Sequence, residues 1–237
     1  HYPLRRQRQM CIRDRNLINE KKSHIYMMPG LAASSKVFEN IKLDESKYCM
    51  HRIDWIQPKK NESIRNYCIR LSKKIKHEQP ILIGVSFGGI IVQELDKILK
   101  VKKLIIVSSV KSHDEYPILY KIARDYQLNN ALPFGMFDNF IKFSLKLNIN
   151  KLYKRIDLAE RYLTERNEIY LEWAVWSLLN WKQENYRSDL IHIHGDKDKV
   201  FPIENISNCI KIKGGKHEMI ILKAKWFNEN LPAIIEN

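Results

Sequence analysis

Six residues, Gly84-Val85-Ser86-Phe87-Gly88-Gly89, restrict what this chain can fold into more than any other stretch of it. They end a short unbroken apolar run, Ile81–Val85, which Pro80 opens. They lead at once into a segment, about Gly88–Lys100, where Ile91, Leu95 and Ile98 share one side. The run has the length and texture of a strand buried on both faces, and the second spacing is helical. A serine between the two sits on a tight strand-to-helix turn, whose strained backbone and close neighbours call for glycine nearby. The helix N-terminus beneath it offers positive potential to an oxyanion.

The surrounding text repeats this alternation. His24–Met28, ended by Pro29-Gly30, and Cys49–Trp55 read as the first two strands. Lys103–Val110 reads as the fourth, Leu190–His194 as the fifth and the region of Cys209–Lys213 as the sixth. Asn61 is expected to cap a helix on which Ile64, Cys68, Leu71 and Ile75 recur with helical period, and a last helix covers Lys225–Ile235. Strands alternating with amphipathic helices predict a parallel sheet covered on both faces. From about Lys111 to Arg187 the alternation stops and the chain becomes aromatic and helical. Leu171, Ala174, Leu178 and Trp181 form one apolar stripe there and Ile169, Trp173 and Trp176 another, predicting a helix buried on more than one side.

A nucleophilic serine needs a base, and the base needs a carboxylate to orient it. Downstream, Leu190–Pro202 reads LIHIHGDKDKVFP: a strand, a glycine turn and two aspartates, Asp196 and Asp198, either of which reaches the end of the sheet. Gly214-Gly215-Lys216-His217 follows the last strand and puts a histidine on another loop of the same edge. His192 and His194 share a strand face, but no cysteine or carboxylate cluster stands at ligand spacing beside them. No metal site is expected there, and His194 is expected to hydrogen-bond within the turn.

Together the serine turn, the HGDKD stretch and the GGKH stretch resemble an α/β-hydrolase, from Tyr26 to about Trp226. The resemblance implies about six parallel strands flanked by helices, with a helical cap inserted after the fourth strand at about 111–187. It assigns the nucleophile to Ser86 and the base to His217. The acid falls third after the glycine of the turn, which is Asp198 rather than Asp196. The backbone N–H groups of Leu31, in Met28-Pro29-Gly30-Leu31, and of Phe87 become the oxyanion donors. Two features depart from the family pattern: Pro29-Gly30 stands where a histidine-glycine pair is common, and only a short connection separates Asp198 from His217. The family's leading antiparallel strands are not expected here, since only Asn16–Ser23 stand between an expected N-terminal scar and the first run.

The implied activity is cleavage of an ester, thioester or related acyl bond without cofactor or metal, on a small-molecule substrate with an apolar acyl chain. Trp173 and Trp176 are candidates to line the acyl pocket. The same scaffold supports cofactor-free haloperoxidases, lyases and acyltransferases, and a non-catalytic binding protein is the alternative of another class.

Composition bounds the rest. A chain of 237 residues with 44% hydrophobic content fits one domain, here 16–237, and no apolar run reaches the ~18 residues of a membrane span. Residues 1–15 lack apolar periodicity, and Arg5–Asp14 reads like translated sequencing-adaptor text, so this stretch is expected to be a scar. It carries five Arg and one Asp of a chain whose formal net charge is +14. The remaining excess is scattered lysine, as at Lys59–Lys60 and Lys102–Lys103, and no nucleic-acid motif accompanies it. Besides Cys11, the chain has Cys49 and Cys209 in expected buried strands and Cys68 on an apolar helix face. Core thiols without metal spacing point to a reducing compartment, the cytoplasm.

Overall fold

The structure, a computed structural model, describes residues 22–125, 158 and 160–237; the expected scar and much of the expected cap lie outside these. Six strands, β1 (Ser23–Met28), β2 (Tyr48–Arg52), β3 (Ile81–Val85), β4 (Lys103–Val107), β5 (Ile191–Gly195) and β6 (Ile210–Ile212), form one sheet. Every pair is parallel, in the order β2-β1-β3-β4-β5-β6. The order reverses between β1 and β3. The chain leaves those two strands toward opposite faces, which opens a crevice beyond their C-terminal ends.

Side-chain alternation divides the core. Ile25 and Met27 of β1, with Ile81 and Ile83 of β3, face one layer, where Val37 and Phe38 meet Phe227 and Leu231. Tyr26 and Met28, with Leu82, face the other, where Tyr67, Leu71, Ile91 and Leu95 pack. The first layer is covered by helix α6 (Ala224–Glu236), which follows the short α5 (Met219–Leu222). The second is covered by α1 (Ile64–Ser72), α2 (Phe87–Asp96) and, further out, α4 (Glu168–Asn180). Phe87–Leu95 of α2 are all buried, because α2 lies between the sheet and those outer helices.

Several sequence expectations shift. α1 is capped by Ser63, whose side chain accepts from the Asn66 N–H at 3.2 Å, and not by Asn61, which sits at φ 55° in the turn before it. Cys49 and Cys209 are only half-buried, because β2 and the short β6 are the sheet's edges. Cys68 is buried as expected.

The buried line of α4 is Tyr170, Trp173, Ala174 and Ser177; of the first expected stripe Ala174 and Trp181 are buried while Leu171 and Leu178 are only partly so, and of the second only Trp173 is buried. The second expected stripe is not a buried face: Ile169 is 57% and Trp176 47% exposed. Trp173 donates its Nε1–H to the Glu62 carbonyl at 2.8 Å and stacks on Tyr67 with centroids 4.1 Å apart. Trp173→Ala therefore lowers the stability by about 3–5 kcal/mol. Trp176→Ala stays within about 0.5 kcal/mol of wild type. Urea unfolding of the two variants checks this, and equal midpoints would contradict it.

Between β4 and β5 the chain runs through α3 (Ile118–Asp125) and α4. The ends of this excursion are tied together. Gln183 donates its amide to the Lys111 carbonyl at 2.8 Å and to Gln93 Oε1 at 2.8 Å, while the His113 N–H reaches the Gln183 carbonyl. Exit and return thus meet beside α2, at the C-terminal side of the sheet. No helix among the described residues is long and apolar enough to cross a membrane.

Candidate active site

Ser86 joins β3 to α2 at φ 53° and ψ −123°, a region that L residues occupy only when the surroundings enforce it. Three backbone contacts do so. The Ser86 N–H donates to the Val107 carbonyl at 2.9 Å, and the Ser86 carbonyl accepts from Gly89 N–H and Ser109 Oγ, each at 2.8 Å. The first turn of α2 also presses on the exit of β1. A Cβ on Gly88 would lie 2.3 Å from the Pro29 carbonyl oxygen and 2.4 Å from that of Met28, so only glycine fits.

That close approach brings the loop after β1 beside the serine. The Cα of Gly30 is near enough that a Cβ there would lie 3.3 Å from Ser86 Cβ. Leu31 and Phe87, the expected oxyanion donors, flank Gly30 and Ser86 in sequence, and among the described residues neither N–H has a backbone acceptor. Phe87 is held between Trp55 (centroids 5.5 Å, stacked) and Trp173 (6.0 Å, edge-on). Trp173 thus buttresses Phe87 from within the core. Trp176 lies on the outer, exposed side of α4.

The histidine and the aspartate reach the serine from two further loops. His217 Nε2 lies 2.9 Å from Ser86 Oγ, and His217 Nδ1 lies 2.9 Å from Asp198 Oδ2. The other carboxylate oxygen, Oδ1, accepts from the N–H groups of Val200 (2.8 Å) and Phe201 (3.0 Å). Asp198 is 5% exposed. Burial pushes its pKa up, but the hydrogen bond and charge of His217 and the two backbone N–H groups outweigh this and hold it below the ordinary value. An ionised Asp198 accepting at Nδ1 fixes the tautomer in which Nε2 is free to take a proton from Ser86.

The 19 residues from Asp198 to His217 suffice because their two turns touch. A Cβ on Gly195 would meet the Gly215 carbonyl oxygen at 2.3 Å, and the Lys197 N–H donates to that same carbonyl at 2.8 Å. Asp196 is spent on this junction: its Oδ1 accepts from the Gly214 N–H at 2.7 Å. It braces the histidine loop and does not face His217.

His192 and His194 point to the same side, as their spacing implies, and bind each other. His194 Nε2 reaches the Phe201 carbonyl at 2.9 Å, so that nitrogen carries the proton, and His194 Nδ1 accepts from His192 Nε2 at 3.1 Å. Buried His194 lies 3.6 Å from Asp198 Oδ2 and supports the acid loop from below. Tyr120 of α3 is a neighbour that the sequence did not single out. Its ring lies tilted beside Phe201 with centroids 5.8 Å apart, and burial first, then the Asp198 charge, pushes its phenol up to about 12.

Solved structures share this architecture. A hydrolase from Pseudomonas aeruginosa PA01 superimposes with a TM-score of 0.66 at 10% identity, over 91% of this chain and 91% of that one. An esterase from Exiguobacterium antarcticum gives 0.61 at 19% identity, over 92% and 93%. A bromoperoxidase from Bacillus anthracis gives 0.60 at 18% identity, over 91% and 92%. No protein-family model matches the sequence, and no curated protein matches it. The chain has the α/β-hydrolase fold.

Proposed function

We propose that this chain is a serine hydrolase that cleaves an ester, thioester or related acyl bond through an acyl-enzyme on Ser86. The observation that carries the reading is the hydrogen-bonded line Ser86 Oγ–His217–Asp198, with 2.9 Å at each step. Three loops, each past the end of a different strand, contribute to it.

In this reading His217 Nε2 takes the Ser86 proton as Oγ attacks the acyl carbon. Asp198 stabilises the imidazolium that forms, and the Leu31 and Phe87 N–H groups receive the oxyanion. The imidazolium returns its proton to the departing alcohol or thiol. Water, deprotonated by the same His217, then releases the acid and restores Ser86. No cofactor enters these steps.

Residues 111–187 act as a helical cap over Ser86, and 1–15 contribute nothing to the domain of 16–237. The support for the cap is the junction of its two ends beside α2. Its aromatic content favours a small-molecule substrate with an apolar acyl chain, with Trp173 shaping the pocket through Phe87 and Trp176 reaching the acyl group only from the outer side. The free thiols Cys49, Cys68 and Cys209 accord with a cytoplasmic protein. No nucleic-acid partner is part of the reading.

Labelling with a fluorophosphonate, followed by kcat/KM along a p-nitrophenyl ester series, tests it. One equivalent of label on Ser86 and a rise from acetyl to longer acyl chains are expected. An unlabelled serine would overturn the reading in favour of a binding protein. The likeness to a bromoperoxidase favours one second reading, in which peroxide replaces water in releasing the acyl group and gives a peracid that oxidises halide. Bromination of a phenol in the presence of a carboxylic acid, peroxide and bromide distinguishes it.

A further inference from the structure

A second constellation lies away from Ser86, toward the N-terminal end of the sheet. The parallel register sets His24 of β1 opposite Cys49 of β2, and Tyr26 opposite His51, so His24 and His51 project from the same face. His77, in the approach to β3, closes over them. The His24 and His77 rings lie parallel with centroids 3.4 Å apart, and His51 is 5.0 Å from His77. Among the described residues these three form the one group of metal-ligating side chains that offers a nitrogen each, all within 4.8 Å of one another.

The hydrogen bonds leave ring lone pairs inside the cluster. His24 Nδ1 and His51 Nε2 are 2.9 Å apart, so one of the two nitrogens presents a lone pair to the other. His77 Nδ1 lies 2.6 Å from Tyr26 OH, which also accepts from the Lys76 N–H at 3.1 Å. In the tautomer whose Nδ1–H donates to the phenol oxygen, Nε2 of His77 presents the lone pair that binds a ligand. An imidazole fixed through its second nitrogen in this way is the usual arrangement of a metal-bound histidine. The cluster lines a cleft of about 1180 Å³ together with Glu45, Cys49 and Glu78, so an ion and water can reach it.

We propose that His24, His51 and His77 bind one divalent transition-metal ion of the zinc class through a ring nitrogen each, with water from the cleft as the remaining ligand. Three imidazoles suit zinc, nickel, cobalt or copper better than the oxygen-seeking magnesium or calcium. Bonds of about 2.0–2.1 Å to a tetrahedral ion set its nitrogens about 3.4 Å apart, so His24 Nδ1 and His51 Nε2 part slightly from their 2.9 Å contact and His77 turns its nitrogen toward them. Rotation of half-buried rings accommodates this without moving the strands. The ion replaces the proton between His24 and His51 and ties β1, β2 and the approach to β3 together.

The test uses the full chain, stripped of metal and titrated with Co²⁺ and then with Zn²⁺ against a chromophoric chelator. One equivalent per chain, visible d–d absorption of bound Co²⁺ and a higher melting temperature with Zn²⁺ are expected. His51→Asn and His77→Gln each abolish stoichiometric binding, and Tyr26→Phe weakens it about 10-fold by freeing the His77 ring. Should a variant fail to fold, ring ¹H–¹⁵N spectra of the wild type decide instead, with Zn²⁺ expected to shift three of the eight histidines. Absence of binding, binding that survives both histidine variants, or stabilisation by phosphate but not by Zn²⁺ would each overturn the assignment.

Discussion

Ser86→Ala and His217→Ala each lower kcat for an activated ester by about 10⁶-fold, and the double variant falls no further. The two side chains act as one unit through the 2.9 Å contact between Oγ and Nε2. Without His217 the hydroxyl of Ser86 is a poor nucleophile at neutral pH, and without Ser86 the imidazole has no proton to take. What survives is acceleration of about 10³–10⁴-fold over water, from the Leu31 and Phe87 N–H groups and from substrate binding. Single-turnover hydrolysis of a p-nitrophenyl ester measures this, with circular dichroism to establish that each variant is folded. Additive losses in the double variant would mean that Ser86 and His217 serve separate steps, and near-normal turnover in Ser86→Ala would move the chemistry elsewhere.

Asp198→Asn lowers kcat by about 10⁴-fold, because an amide at this position can donate to Nδ1 and favour the wrong tautomer of His217. Asp196→Asn changes it by no more than about tenfold, the equivalent of one hydrogen bond, since the amide oxygen can still accept from the Gly214 N–H. Reversal of the two losses would transfer the acid role to Asp196. Stability gives a second readout. The folded-state pKa of Asp198 is depressed, so its contribution is present above the unfolded value of about 4 and is lost as pH falls through the lower folded value. The stability difference between wild type and Asp198→Asn is therefore largest near neutral pH and shrinks below about pH 4. A difference that grew on acidification would contradict the ionised, hydrogen-bonded carboxylate.

The sequence by itself determined the features that depend on neighbours along the chain. Apolar runs bounded by Pro and Gly located the strands, helical spacing located α1 and α2, and the glycines around Ser86 marked the turn, because backbone sterics and side-chain periodicity are local. It also placed His217 and two aspartates at the same edge of the sheet, since residues just past parallel strands must emerge there. The family resemblance pointed to Asp198, but what distinguishes the two aspartates physically is tertiary. Asp196 and Asp198 are two residues apart in one loop, and only the contact of Gly195 with Gly215 turns one toward Gly214 and the other toward His217.

The same holds for the cap of α1, where Asn61 was expected and the chain's path into the helix gave the role to Ser63. Trp173 and Trp176 are one helical turn apart and equally apolar in the text. The packing of α4 on α1 buried the first and left the second exposed. His24, His51 and His77 show no spacing that a sequence reader would notice. Strand register brings two of them to one face and the approach to β3 adds the third, so a site built across separate strands becomes legible only once the sheet is assembled.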